Sequence, residues 1–225
     1  LGASGKVAIQ ASGFGNVITN TTEASITGGS TVRSGGLVDL TAMDQSHISA
    51  VGLSIAASGT AAISAIIGAN VITNTIDALI SGSTVSSGST LDLVAESHAN
   101  IFSFAGGAAF SISGEGVGVA AGASLAVNII TNTVTSSITD DSDATSYGDI
   151  SINAEENATI CALTLAGAAT GAGGVAVSIG VALAHNMIDD DVAAYILESD
   201  VTSTNDSIRV HALENSRTNA VSAAA

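Results

Sequence analysis

Large and small side chains alternate along this chain with a period of two. In VAVSIGVALAH (175–185), Val175, Val177, Ile179, Val181 and Leu183 alternate with Ala176, Ser178, Gly180, Ala182 and Ala184, and residues 117–127 follow the same pattern one unit earlier. Successive side chains of a strand point to opposite faces, whereas a helix would repeat its apolar positions at three and four, so the pattern predicts β-strands.

The strands belong to a repeat. NVITNT at 16–21 returns at 70–75, becomes NIITNT at 128–133 and NMIDDD at 186–191, which places repeat starts near Asn16, Asn70, Asn128 and Asn186 at spacings of 54, 58 and 58 residues. A second phrase, an alternating run closing on Ala, ends at Ala11, Ala42, Ala95, Ala154 and Ala212. From each Asn to the following Ala the distance is 26, 25, 26 and 26 residues; from Ala to the next Asn it is 28, 33 and 32, but only 5 between Ala11 and Asn16. Read this way, the first copy lacks about one turn of a coil, a loss that stacked repeats tolerate.

These features predict an all-β chain, a parallel β-helix (β-solenoid) of imperfect 54–58 residue repeats. Strands commonly run about 3–10 residues, which favours about two turns per repeat. The Gly-rich stretches TGGS (27–30), SGST (87–90) and TGAGG (170–174) are expected corners, with hairpin excursions an option at TGAGG and at SGEG (113–116).

After each Asn, one parity holds Ile18, Ile72, Ile130 and Ile188, then Ala24, Ala78, Ser136 and Ala194, then Ile26, Ile80, Ile138 and Ile196, and this side is expected to face the core. Asn20, Asn74, Asn132 and Asp190 share it, and are expected to stack inside as a structural ladder that satisfies buried polar groups. Thr19, Thr73 and Thr131 take the opposite, outward parity with Glu23 and Asp77.

Composition narrows the function. Hydrophobic residues make up 46% of the chain, yet aromatics are 3%, Pro and Trp are absent and Gly numbers 25, so the interior must be thin and closely packed. Four basic against twenty acidic residues give a net charge of −16, which argues against nucleic acid and anionic membrane surfaces as partners. Residues 157–188 carry no Asp, Glu, Lys or Arg, but their Gly, Ser and Thr content, acidic flanks and period of two argue against a membrane span. Cys161 lies in an apolar setting, ATICALTL, which predicts a buried small hydrophobe.

With these phrases in place, the chain resembles the repeat region of giant bacterial surface exoproteins, the leukotoxin-type filamentous adhesins and, more loosely, the filamentous haemagglutinin-like proteins. The likeness lies in an Ala/Gly/Val-rich alternating strand, an N-x-I-x-N corner, A-x-I, a short Gly/Ser turn and an alternating strand ending in Ala, most complete in residues 67–97. The resemblance implies an extracellular or cell-surface location, a long shaft, roles in adhesion or filament formation, and no catalytic residues.

Two acidic clusters are candidate Ca²⁺ ligands: Asp140, Asp141 and Asp143 in a turn, and Asp189, Asp190 and Asp191 in place of T-N-T. Neither an EF-hand loop nor a GGxGxD nonapeptide accompanies them. His47, His98, His185 and His211 fall at unrelated repeat positions, and sugar chemistry would need paired carboxylates with basic or aromatic partners that are scarce here. The expectation is therefore a non-enzymatic structural protein: one solenoid segment, 1–225, of a longer repetitive chain, the shaft of an adhesin or of a self-assembling filament. Its expected partners are adjacent repeats or further copies end to end, with a surface protein or glycan as target. The alternative is a Ca²⁺-dependent or carbohydrate-binding adhesive module; otherwise no cofactor is expected.

Overall fold

The computed structural model describes residues 1–114 and 116–225, so the SGEG stretch is followed only up to Gly114 and from Gly116. Among the described residues there are seventeen strands and no helix, and every strand pair is parallel. They form three sheets. Face 1 is built from Gly2–Ser4, Val38–Asp44 with His47–Ser58, Leu91–Ser113, Ile150–Ala172, and Ile208–Glu214 with Arg217–Ala224. Face 2 is built from Val7–Ile26, Ala61–Ser81, Val117–Ile130 with Thr133–Thr139, and Val175–Ile188 with Asp191–Ile196. A narrow end sheet of four-residue strands, Thr31–Ser34, Thr84–Ser87, Asp143–Ser146 and Asp200–Ser203, lies between them in chain order.

Register follows the repeat. Asn16 pairs with Asn70, Asn70 with Asn128 and Asn128 with Asn186, while Ala42, Ala95, Ala154 and Ala212 align across face 1. Each residue lies beside its counterpart one whole repeat away, so a repeat adds a single rung to each sheet. This corrects the expected two turns per repeat. The strands are far longer than that expectation assumed, 23 residues for Leu91–Ser113, and whole-repeat register stacks Asn on Asn and Ala on Ala.

The first copy is corrected too. VAIQA (7–11) pairs with AAISA (61–65) on face 2 and is not a counterpart of VDLTA on face 1. Gly2–Ser4 and Val7–Ile26 keep one offset of 54 residues from their partners, so no turn is missing.

The two faces enclose a core that tapers. Beside the end sheet it is filled by Ile76, Ile80, Leu91, Leu93, Val134, Ile138, Ile150 and Ile152. At the opposite tip it is reduced to Ala8, Ala56, Ala62, Ala109 and Ala120. There the backbones nearly touch: a Cβ on Gly107 would lie 2.4 Å from the Ala123 carbonyl oxygen, and one on Gly122 2.3 Å from that of Gly167. Glycine is required for that approach.

Parity behaves as expected after the Asn. Ile72, Ile130, Ala78, Ser136, Ile80 and Ile138 are fully buried, and their counterparts in the terminal rungs, Ile18, Ile188, Ala24, Ala194, Ile26 and Ile196, are half-buried against the same clusters. Cys161, expected inside, is exposed, because Ile160 and Ala162 take the inward positions on either side of it. TGGS and SGST are corners as expected, with Gly28 and Gly29 at φ of 72° and 73°. TGAGG makes no hairpin excursion: Thr170–Ala172 finish a face 1 strand and face 2 resumes at Val175.

Candidate functional site

A polar column runs through the core where several strands break, at residues 45–46 and 215–216 on face 1 and 131–132 and 189–190 on face 2. Face 2 supplies Asn20, Asn74, Asn132 and Asp190; face 1 supplies Asp44, Ser97, Glu156 and Glu214, which align with one another across the rungs. Asn74, Asn132, Asp44, Ser97 and Glu156 are all buried.

The side-chain oxygen of each face 2 member after Asn20 accepts the backbone N–H of the preceding rung. Asn20 N–H donates to Asn74 Oδ1 at 3.0 Å, Asn74 N–H to Asn132 Oδ1 at 2.9 Å, and Asn132 N–H to Asp190 Oδ1 at 2.7 Å. The amide nitrogens reach across to face 1. Asp44 accepts from Asn20 Nδ2 at 3.1 Å, from Asn74 Nδ2 at 2.8 Å and from the Ser46 N–H at 3.0 Å. Asn132 Nδ2 donates to Glu156 Oε1 at 3.2 Å. These bonds tie the two faces together and satisfy backbone donors that broken strands would leave unpaired.

The amide-to-amide ladder expected on this series lies four residues earlier. Asn16 Nδ2 donates to Asn70 Oδ1 at 2.8 Å, Asn70 to Asn128 at 2.8 Å, and Asn128 to Asn186 at 2.9 Å.

The column becomes more acidic toward its C-terminal end. Glu156 is fully buried and its carboxyl is pushed up to about 7, chiefly by loss of solvent, with the Asp190 charge adding to it. Asp190 is raised for the same leading reason, with Glu214 and Asp189 nearby. Glu156 Oε2 and Asp190 Oδ2 are both buried without a hydrogen-bond partner, in contrast to Asp44, whose two oxygens are bonded. Sequence reasoning found the Asn members but missed Asp44, Ser97, Glu156 and Glu214. Their signal is the polar residue two positions after the final Ala of each alternating run, which must share that alanine's inward parity.

The candidate Ca²⁺ ligands of the second cluster diverge. Asp189 and Asp191 are exposed while Asp190 points inward. Asp140 and Asp141 occupy a left-handed turn, at φ of 59° and 54°, and Asp140 accepts from Ser81 Oγ at 2.6 Å and Thr139 Oγ1 at 3.0 Å, which hold its carboxyl below the usual range. Asp141 and Asp143 line an open hollow of about 200 Å³ with Glu198 and Asp200 of the next rung. Among the described residues, no three His, Cys, Asp or Glu side chains converge as metal ligands. His98 pairs with Glu96, and His211 lies 3.0 Å from Asn153 Oδ1.

The chain matches no protein-family model, no curated protein and no solved structure. No helix among the described residues is long and apolar enough to cross a membrane. The column holds two sheets in register; its chemistry is that of a clamp.

Proposed function

We propose that this chain is a segment of a parallel β-solenoid shaft at a cell surface, part of an adhesin or a self-assembling filament, and that it performs no catalysis. The observation that carries the reading is the unbroken amide ladder Asn16–Asn70–Asn128–Asn186, in which one residue type at one position links every rung to the next. Ladders of backbone and side-chain bonds spaced by ~4.8 Å stiffen a stack along its axis.

Adjacent repeats or further copies stacked end to end are the partners that suit this geometry, because each terminal rung presents an unpaired strand edge. The net charge of −16 keeps such stacks apart from nucleic acid and anionic surfaces. Immunogold labelling of intact, unpermeabilised source cells with antibody to this chain tests the reading. Labelled fibres projecting from the envelope support it; antigen found only after permeabilisation overturns it.

A further inference from the structure

The outer surface of face 2 near the tip inverts the usual arrangement of a sheet, with its large apolar side chains turned to solvent. Ile9 is 69% exposed, Ile67 57%, Ile179 54% and Leu183 57%. The four rungs align residues 7–17, 61–71, 119–129 and 177–187, and among all the outward positions of these segments His185 is the one polar side chain. Inside, the close approach at Gly107 and Gly122 leaves room only for Ala, Ser and Gly over most of this half. Bulk therefore goes outward here, and nothing among the described residues covers it.

Four rungs at ~4.8 Å and eleven residues at ~3.3 Å make this surface on the order of 700 Å². Exposed apolar patches on monomers reach about 300–600 Å². Two such surfaces brought together bury about 1,400 Å², within the range of a stable protein–protein interface.

Charge sets the orientation. Residues 45–76 and 157–188 carry no Asp, Glu, Lys or Arg, while the opposite half of each rung holds most of the acidic residues, including Asp77, Asp92, Asp140 and Asp149. Copies aligned tip with tip would set these acidic halves against each other.

We propose that face 2 is a lateral interface with a second copy of this chain, the apolar halves overlapped and the acidic halves at opposite ends. A twofold axis along the stacking direction produces that arrangement and leaves both stacks free to continue the same way. Face 1 is a poorer match for a flat partner, because an apolar hollow of about 200 Å³ between Leu53, Phe104 and Leu165 breaks its surface.

Sedimentation velocity on the chain, beside Ile67→Glu, tests this. The expected result is a dimer favoured by added salt, which screens the acidic halves, and weakened at least ~tenfold in Ile67→Glu. A chain carrying Cys161→Ser and Ala123→Cys, with its thiol near the twofold axis, is expected to cross-link to itself on mild oxidation, and this decides the matter where Ile67→Glu fails to fold. A wild-type chain that stays monomeric up to its solubility limit overturns the proposal, as does a dimer indifferent to Ile67→Glu. Co-flotation of monomeric chain with neutral phosphatidylcholine vesicles also overturns it, and assigns the face to a bilayer.

Discussion

The side-chain amide of Asn70 donates to the Oδ1 of Asn128 across 2.8 Å, although the two residues are fifty-eight apart in sequence. That bond states the architecture in one contact: an Asn meets the same Asn of the next repeat, so one repeat is one rung. Both residues are fully buried, and neither amide has water as an alternative partner.

Asn128→Ala is the sharpest test of the ladder. It leaves the Asn70 donor and the Asn186 acceptor without their partner, and an unsatisfied buried polar group costs about 1–3 kcal/mol. The variant is expected to lose about 2–4 kcal/mol in urea unfolding, with the larger share from Asn70 because Asn186 lies in the less buried last rung. A loss below about 0.5 kcal/mol would mean that the amides do not hold the stack.

Glu156 makes stability depend on pH. Its carboxyl, raised from 4.5 to about 7 chiefly by burial, keeps a proton in the folded chain that the unfolded chain releases. The folded state then binds more protons across that window, so stability is greatest below pH 4.5 as far as this group is concerned, falls as the pH rises, and is fully lost above about 7. The loss is on the order of 3 kcal/mol, and the raised Asp190 acts in the same direction. Glu156→Gln, which cannot ionise, is expected to flatten the fall in Tm between pH 5 and 8 and to exceed the wild type at pH 8. An unchanged slope would mean that Glu156 is solvated in the folded chain.

Where the two backbones come closest there is no room for an added carbon. Gly122→Ala sets a Cβ against the Gly167 carbonyl, a backbone group that cannot rotate away, and is expected to cost about 1–3 kcal/mol. Gly114→Ala, where nothing lies within 4 Å, is the control and is expected to stay within about 0.5 kcal/mol of the wild type.

Calcium is expected to leave the melting midpoint where a chelator leaves it. Asp189 and Asp191 diverge from Asp190, and Asp140 is engaged by Ser81 and Thr139. A rise in Tm that grows with Ca²⁺ concentration would show that the turns rearrange around the ion.

Much of this fold was legible in the sequence, and the rest was hidden for identifiable reasons. Parity correctly placed Ile72, Asn74 and Ile80 inside, because a period of two assigns each side chain to one face or the other. The same alternation says nothing about which strand lies alongside, so Thr75 could be placed in a repeat but not beside Thr133. VAIQA and VDLTA look alike as alternating strings, yet they lie on different faces, since both faces are built from such strings. Cys161 misleads because its neighbours Ile160 and Ala162 hold the inward parity, which an apolar setting alone does not reveal. Toward the tip most inward positions are Ala, Ser or Gly and large residues such as Ile179 face outward, an inversion that the close approach of the two backbones explains.

The central claim, one rung per repeat, is tested most directly by nitroxide labels at Thr75→Cys and Thr133→Cys in a Cys161→Ser background. These exposed residues are parallel partners, with Cα atoms expected ~4.8 Å apart. Strong dipolar broadening of the continuous-wave spectrum, absent from either single label, is the predicted result. Broadening no stronger than that of a reference pair of labels two strands apart would contradict the account, because two turns per repeat would place another strand between Thr75 and Thr133 and separate the labels by about 10 Å.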